Sequence, residues 1–234
     1  MVGISQASNE FIENMHKWNV YKDLDEASKF AADFIALNIN KSIEQRDVCY
    51  VILSGGNTPA RCLNFLAGKP IAWSKVHWYL ADERCYPSGH AERNDLMLKK
   101  NLWSIISETN IHVIPTELGA EEAARVYRDI IKGIEYFDIA FLGVGEDGHT
   151  ASLFPDNKAL LDTRSVVPVY DSPKPPSDRV SLSSNTLKKS HCKLVLASGA
   201  DKASIISRIK AGVSLPINSL GDINWYVDEA TQTI

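Results

Sequence analysis

The chain has 234 residues, 44% hydrophobic and 23% charged, with 25 Lys and Arg against 29 Asp and Glu for a formal net charge of −4. That is enough chain to bury a full core at ordinary globular usage, which sets aside a disordered chain and a membrane-embedded one. No basic run is present, so nucleic acid is not an expected partner, because phosphate-backbone binding needs clustered Lys and Arg.

The opening residues are polar and include Phe11, Ile12, Met15 and Trp18 rather than a basic stretch followed by an apolar core. Neither a signal peptide nor a transmembrane span is expected, and the compartment expected is the cytosol. Apolar residues at helical spacing (Leu24, Ala27, Phe30, Ala31, Phe34, Ile35, Leu37) predict a helix over 24–44, with Asp23 or Asp25 able to cap it. Residues 48–53 read as a buried strand, followed by the loop Ser54-Gly-Gly-Asn-Thr-Pro59 and a helix from about Pro59 to Leu66, with Thr58 as its cap. Residues 76–81 read as a second strand leading into Asp82-Glu-Arg84 and a polar loop, then a helix from about Asn94 to Ile106. A short strand over 111–114 and an amphipathic helix over 120–134 follow.

The apolar run from Phe137 reads as a strand buried on both faces, and it ends in Gly143-Val-Gly-Glu-Asp-Gly-His-Thr150. Beyond it, residues 166–170, 179–182, 193–197 and 225–228 are candidate strands, 172–177 is a proline-rich loop, and a helix spans about 199–211. With no repeat and no linker, the chain reads as one α/β domain, 1–234, with a mostly parallel sheet.

Ser54-Gly-Gly-Asn-Thr-Pro59 joins a strand to a helix through glycines, so bare N–H groups and a helix N-terminus suit an anion such as phosphate; the plainer reading is a tight turn. Gly143-Val-Gly145-Glu-Asp-Gly148 matches G-x-G-x-x-G, but Phe154-Pro155 interrupts where a dinucleotide site needs a helix. Of six histidines, only His149 follows a glycine turn at a strand end beside a carboxylate, Asp147. Asp147 could fix the imidazole tautomer or make only an Asx-type turn, and spacing does not choose between them. Asp82-Glu-Arg84 reads equally as site or solvated loop, and Arg179 and Lys202 matter only if they join the glycine loop around a phosphate. No nucleophile elbow or metal spacing is present, and the four scattered cysteines have no C-x-x-C pair and are expected to be reduced thiols. The residues alone point to a phosphorylated small molecule and one histidine acting as acid or base, with no metal and no cofactor.

Ser54-Gly-Gly-Asn-Thr-Pro59, Trp78-Tyr-Leu-Ala-Asp-Glu-Arg84, Arg93-Asn94, Gly143 through Pro155, Pro173-Lys-Pro-Pro176 with Arg179, and Gly199-Ala-Asp-Lys-Ala203 together resemble the 6-phosphogluconolactonase family, in its order and over nearly the whole chain. The resemblance implies a single Rossmann-like three-layer α/β domain, similar to glucosamine-6-phosphate deaminase. It also implies hydrolysis of 6-phospho-D-glucono-1,5-lactone in the oxidative pentose phosphate pathway. The deaminase shares the glycine loop, Asp82 and the Asp-Gly-His core, but its run continues toward Asn-Glu-Pro. Phe154 stands here at that glutamate and exchanges no proton. Asn57 departs from a frequent serine but still offers a donor.

The implied catalytic set is His149 to activate water, Asp147 to orient it, Arg84 to polarise the carbonyl, and Asp82. Ser54, Gly55, Gly56, Asn57, Thr58, Arg179 and Lys202 would hold the phosphate, with Lys174 a further contact from the proline loop. The expected partner is a sugar-phosphate lactone, with no nucleic acid or membrane, in a monomer or small homo-oligomer. The alternatives are an amino-sugar phosphate deaminase or isomerase and a non-catalytic sugar-phosphate sensor.

Overall fold

The computed structural model describes residues 16–233, so the reading of Phe11, Ile12 and Met15 lies outside it. In chain order the elements are β1 (His16–Tyr21), α1 (Leu24–Arg46), β2 (Cys49–Leu53), α2 (Asn57–Ala67), β3 (Val76–Leu80), β4 (Asp82–Arg84), α3 (Asn94–Asn101), β5 (Ile111–His112), α4 (Ala120–Ile130), β6 (Ile139–Leu142), β7 (Val166–Val169), β8 (Arg179–Leu182), α5 (Ser184–Lys188), β9 (Cys192–Ala197), α6 (Ala203–Lys210) and β10 (Ile223–Asp228). Seven strands form one sheet in the order β1-β10-β9-β6-β2-β3-β5, parallel at every pairing, and β4-β8-β7 form a separate antiparallel sheet. The expected mostly parallel α/β arrangement is the one observed.

The central strands β2, β3, β6 and β9 are apolar on both faces because helices flank the sheet, and Val51, Leu53, Trp78, Leu80, Phe141 and Val195 are buried. Helix α1 presents Ala27, Ala31, Ala32, Ile35, Ala36 and Ile39 inward, a stripe whose small residues bring its axis close to the strands. Asp23 caps it by accepting from the Glu26 N–H at 2.9 Å, whereas Asp25 holds Arg61 in a two-point contact at 2.6 Å.

Several sequence readings change, and the helix read over 120–134 ends at Ile130. Helix α2 begins at Asn57, with Gly56 at its N-cap and no side-chain cap, so Thr58 lies inside the first turn rather than capping it. The helix read to Ile106 ends at Asn101, followed by a 3₁₀ turn over Trp103–Ile105. Asp82-Glu-Arg84 is a strand, not a solvated loop. Ala81 alone separates it from β3, and it pairs with β8 as Asp82↔Ser181, Glu83↔Val180 and Arg84↔Arg179. Strand β1 was not expected; it adds to β10, with Trp18 stacked on Trp225 at 4.7 Å. No helix of the described residues is long and apolar enough to cross a membrane.

At the amino end of the sheet, Asp138 is buried and accepts from Tyr50 N–H at 2.7 Å, from Ser42 Oγ at 3.0 Å and from Arg46. Replacing Asp138 with Ala strands the Tyr50 N–H, at a cost of about 1–3 kcal/mol. We expect a thermal midpoint lower by roughly 2–4 °C per kcal/mol in a chain of this size, with turnover kept, because the site lies at the other end of the strands. Calorimetry beside an activity assay checks this; an unchanged midpoint would refute it.

Candidate active site

From β2 the chain runs outward through β3 to β5, while β6 returns beside β2 and leads the other way through β9 to β10. Crossovers that diverge from neighbouring strands leave a crevice beyond their carboxyl ends, where open α/β sheets bind ligands. A cavity of about 350 Å³ lies there, bounded by Ser54–Thr58 after β2, by Gly143–Gly145 after β6, and by side chains from β4, β8 and the 171–178 loop.

His149 reaches this wall by a tight return of the chain: Gly145 N–H donates to His149 O at 2.9 Å and Gly148 N–H to Gly145 O at 3.0 Å. The imidazole then lies against Gly145, where an added β-carbon would sit 2.0 Å from Nδ1 and Cε1. Asp147 Oδ1 accepts both the His149 N–H at 3.1 Å and the ring Nδ1 at 2.5 Å, so the Asx-type turn and the hold on the imidazole are one arrangement.

Burial pushes the Asp147 carboxyl up, but the His149 N–H and imidazole outweigh it and leave it below its ordinary range. An ionised carboxylate only accepts, so Nδ1 carries the proton and Nε2 keeps the lone pair. Burial likewise pushes the imidazole down, and although Asp147 opposes this, His149 titrates below the usual 6.5. The ring is neutral at pH 7, as a base must be.

Strand alternation sends Asp82 and Arg84 one way and Glu83 the other. Asp82 accepts from Ser152 Oγ at 2.5 Å, and its backbone carbonyl accepts from Asn94 Nδ2 at 2.9 Å. Asn94 Oδ1 fills the space where a β-carbon on Gly55 would stand, 2.0 Å away. Glu83 is fully buried and accepts the N–H groups of Arg84 and Asn94 at 2.8 Å and Asp95 at 2.9 Å, capping α3; burial pushes its carboxyl up to about 7.

Arg84 Nη1 donates to Glu92 O at 2.6 Å, and its buried Nε, like Ser54 Oγ, has no hydrogen-bond partner among the described residues. Arg179 donates from Nε to Pro176 O at 3.2 Å and from Nη2 to Lys174 O at 3.0 Å and Pro175 O at 2.9 Å. It therefore clamps the proline loop as well as facing the cavity. Lys202 follows Gly199, whose N–H donates to Asp228 at 3.2 Å.

Ser54, Gly55, Gly56, Asn57, Thr58, Asp82, Arg84, His149, Lys174, Arg179 and Lys202 thus border one cavity, and Asp147 stands behind His149 outside its lining. Asn94 and Glu92 also border it, and Ser152 and Asp228 support it from behind. Asp228 carried a usable signal, a carboxylate closing an apolar strand, whereas Ser152 gave none. Among the described residues no group of three or more His, Cys, Asp or Glu is placed to hold a metal ion.

The sequence profile of the family described as glucosamine-6-phosphate isomerases/6-phosphogluconolactonase matches residues 22–224. A 6-phosphogluconolactonase of Thermotoga maritima is 32% identical over 206 residues, 86% of this chain and 93% of that protein. One of Bos taurus is 37% identical over 199 residues, 76% and 77% of the two chains. The crystal structure of 6-phosphogluconolactonase from T. maritima superposes with a TM-score of 0.85 at 28% identity, covering 92% of this chain and all of the other. A monomeric glucosamine-6-phosphate deaminase shares the fold, with a TM-score of 0.80 at 19% identity over 92% and 98% of the two chains.

In an NMR titration the His149 imidazole should show a midpoint below 6.5. Asp147→Asn should lower that midpoint further, because its carboxylate opposes the effect of burial more strongly than Asp82 does. An upward move on removing the carboxylate would refute the assignment.

Proposed function

The chain belongs to the family of glucosamine-6-phosphate isomerases and 6-phosphogluconolactonases, and from that premise we propose that it hydrolyses 6-phospho-D-glucono-1,5-lactone to 6-phospho-D-gluconate, the lactone step of the oxidative pentose phosphate pathway, by histidine-activated water. One observation carries this reading: the His149 imidazole, its Nδ1 set 2.5 Å from Asp147 Oδ1, borders the same cavity as a glycine loop and four cationic side chains.

Water attacks the lactone carbonyl carbon as His149 Nε2 takes its proton. The carbonyl π pair moves to oxygen, and a positive donor steadies that oxyanion. Arg84 suits this role, because its unpartnered Nε–H gains an acceptor when an oxygen binds. The intermediate collapses, the bond from the carbonyl carbon to the ring oxygen breaks, and the imidazolium returns its proton to that oxygen. Asp147 holds the ring in the required tautomer throughout, and the resulting acid ionises to the gluconate.

The phosphate is held by the N–H groups and hydroxyls of Ser54–Thr58 with Lys202, Lys174 and Arg179, which fixes the carbonyl before the base. Arg84 and Arg179 face each other across β4 and β8, a like-charge pairing that costs stability unless an anion lies near both. Asp82, tied to Ser152 and Asn94, supplies a fixed negative charge that the imidazolium feels. Phe154 lies 4.5 Å from the His149 ring and offers no proton, which favours hydrolysis over a deaminase that needs a second acid–base group.

Wild-type protein should open the lactone faster than its spontaneous hydrolysis and release no ammonia from glucosamine 6-phosphate. His149→Ala should fold normally and lose about 10²–10⁴-fold in turnover. EDTA should leave the rate unchanged. Ammonia release, or near wild-type turnover by His149→Ala, would overturn the proposal, and a loss of rate with EDTA would assign a step to a metal.

A further inference from the structure

Phe154 is buried to 1% exposure although it lies in a loop only five positions beyond His149. A compact turn brings it back: Leu153 N–H donates to Thr150 O at 3.0 Å, Ala151 takes a left-handed φ of 49°, and Thr150 Oγ1 donates to Gly143 O at 3.0 Å. One side of the Phe154 ring meets the imidazole of His149, with centroids 4.5 Å apart and planes inclined by 40°. The guanidinium carbon of Arg179 stands over the ring at 5.5 Å, and Arg179 in turn grips the carbonyls of Lys174, Pro175 and Pro176. Phe154 also borders a second cavity of about 560 Å³ beside Tyr170 and Pro173, away from the first. It therefore stands as the partition between that space and the base.

We propose that Phe154 is a positioning residue for His149, an aromatic plate that meets both the imidazole and the Arg179 clamp, so that the base and the 171–178 loop share one support. Asp147 holds the ring at Nδ1 and the Gly145 backbone lies against its Nδ1–Cε1 edge, which leaves the rest of the imidazole to be steadied by another contact. The flat face of Phe154 removes that freedom, and an offset aromatic contact of this spacing is favourable in its own right. The other charged groups acting on the imidazole are Asp147, Asp82 and Lys174. All of them remain when Phe154 is changed.

The turnover arm of the test rests on the hydrolytic reading above; the titration arm does not. Phe154→Leu keeps apolar volume but loses the plate, and we expect kcat to fall about tenfold to a hundredfold with KM within about threefold, the size of loss that a misplaced group produces. Phe154→Tyr keeps the plate, with the second cavity free to take its hydroxyl, and should retain turnover. Phe154→Ala opens the second cavity to the imidazole and should raise the NMR midpoint of His149 toward 6.5. Thermal midpoints of all three variants establish that each is folded. Equal turnover in the Leu and Tyr variants, or an unmoved His149 midpoint in the Ala variant, overturns the proposal. A wild type that does not hydrolyse the lactone defeats the functional reading instead, and the titration still tests whether Phe154 covers the ring.

Discussion

There is no room for a side chain at position 145. The imidazole of His149 lies where a β-carbon would project, 2.0 Å from both Nδ1 and Cε1, and that approach lets the chain turn back on itself within four residues. The turn in turn sets Asp147 Oδ1 against Nδ1 at 2.5 Å. It also aims residues 150–153 so that Phe154 comes to rest beneath the ring. The same device recurs at Gly55, whose missing β-carbon is replaced by Asn94 Oδ1. At both strand ends the backbone is stripped so that a polar side chain from farther along can occupy its surface. Such sites are held by contact rather than by long hydrogen-bonded arms, the rigidity that acid–base chemistry asks of its first groups.

Charge is distributed against the average of the chain. The whole carries −4, yet Arg84, Lys174, Arg179 and Lys202 border the cavity against Asp82 and Glu92. The register of β4 on β8 puts Arg84 directly opposite Arg179. Their mutual repulsion is one reason the guanidinium of Arg179 sits below its ordinary value, after the larger effect of burial and against the pull of Asp82. Two arginines set face to face, one of them buried, cost stability that a bound anion offsets. An acidic protein that concentrates its cations in one cleft attracts a small anion there while its outer surface stays net negative.

The sheet was legible because its central strands are short, apolar and closed by glycine or charge: β2, β3 and β9 lie within a residue of where the apolar runs put them, and β6 starts two residues after Phe137. The misreadings have physical causes. Strand β4 is three charged residues, and its partners on β8 are distant in sequence, so local pattern gave no sign of pairing. Strand β1 mixes His16, Lys17 and Asn19 with Trp18 and Val20, and its hold comes from aromatic stacking on Trp225. Thr58 looked like a cap from its place before proline, but Gly56 leaves the extended chain earlier, so the helix starts before it. The glycine-flanked motifs showed which residues would crowd one cavity. They did not show that Arg179 would have most of its donors turned to the proline loop, or that Asn94 would seal Gly55, because both depend on where a loop or helix from another part of the chain comes to rest.

The short strand β4 shows how little chain is needed to fix so much. Ala81 joins it to β3, donating its N–H to Leu53 O at 2.9 Å and accepting from Leu182 N–H at 2.8 Å, so the parallel and antiparallel sheets meet at one residue. Beyond that junction the strand's own alternation does the sorting. Asp82 and Arg84 face the cavity, while Glu83 turns inward and takes three backbone N–H groups, two of them from the start of α3. Seating α3 on Glu83 is what brings Asn94 to Gly55 and to the carbonyl of Asp82. A carboxylate that reaches no ligand therefore determines the shape of the wall that does. Moving β4 by one residue would exchange its faces, turning Asp82 and Arg84 away from the cavity and sending Glu83 into it. The register with β8 is thus as much a condition of the site as any side chain within it.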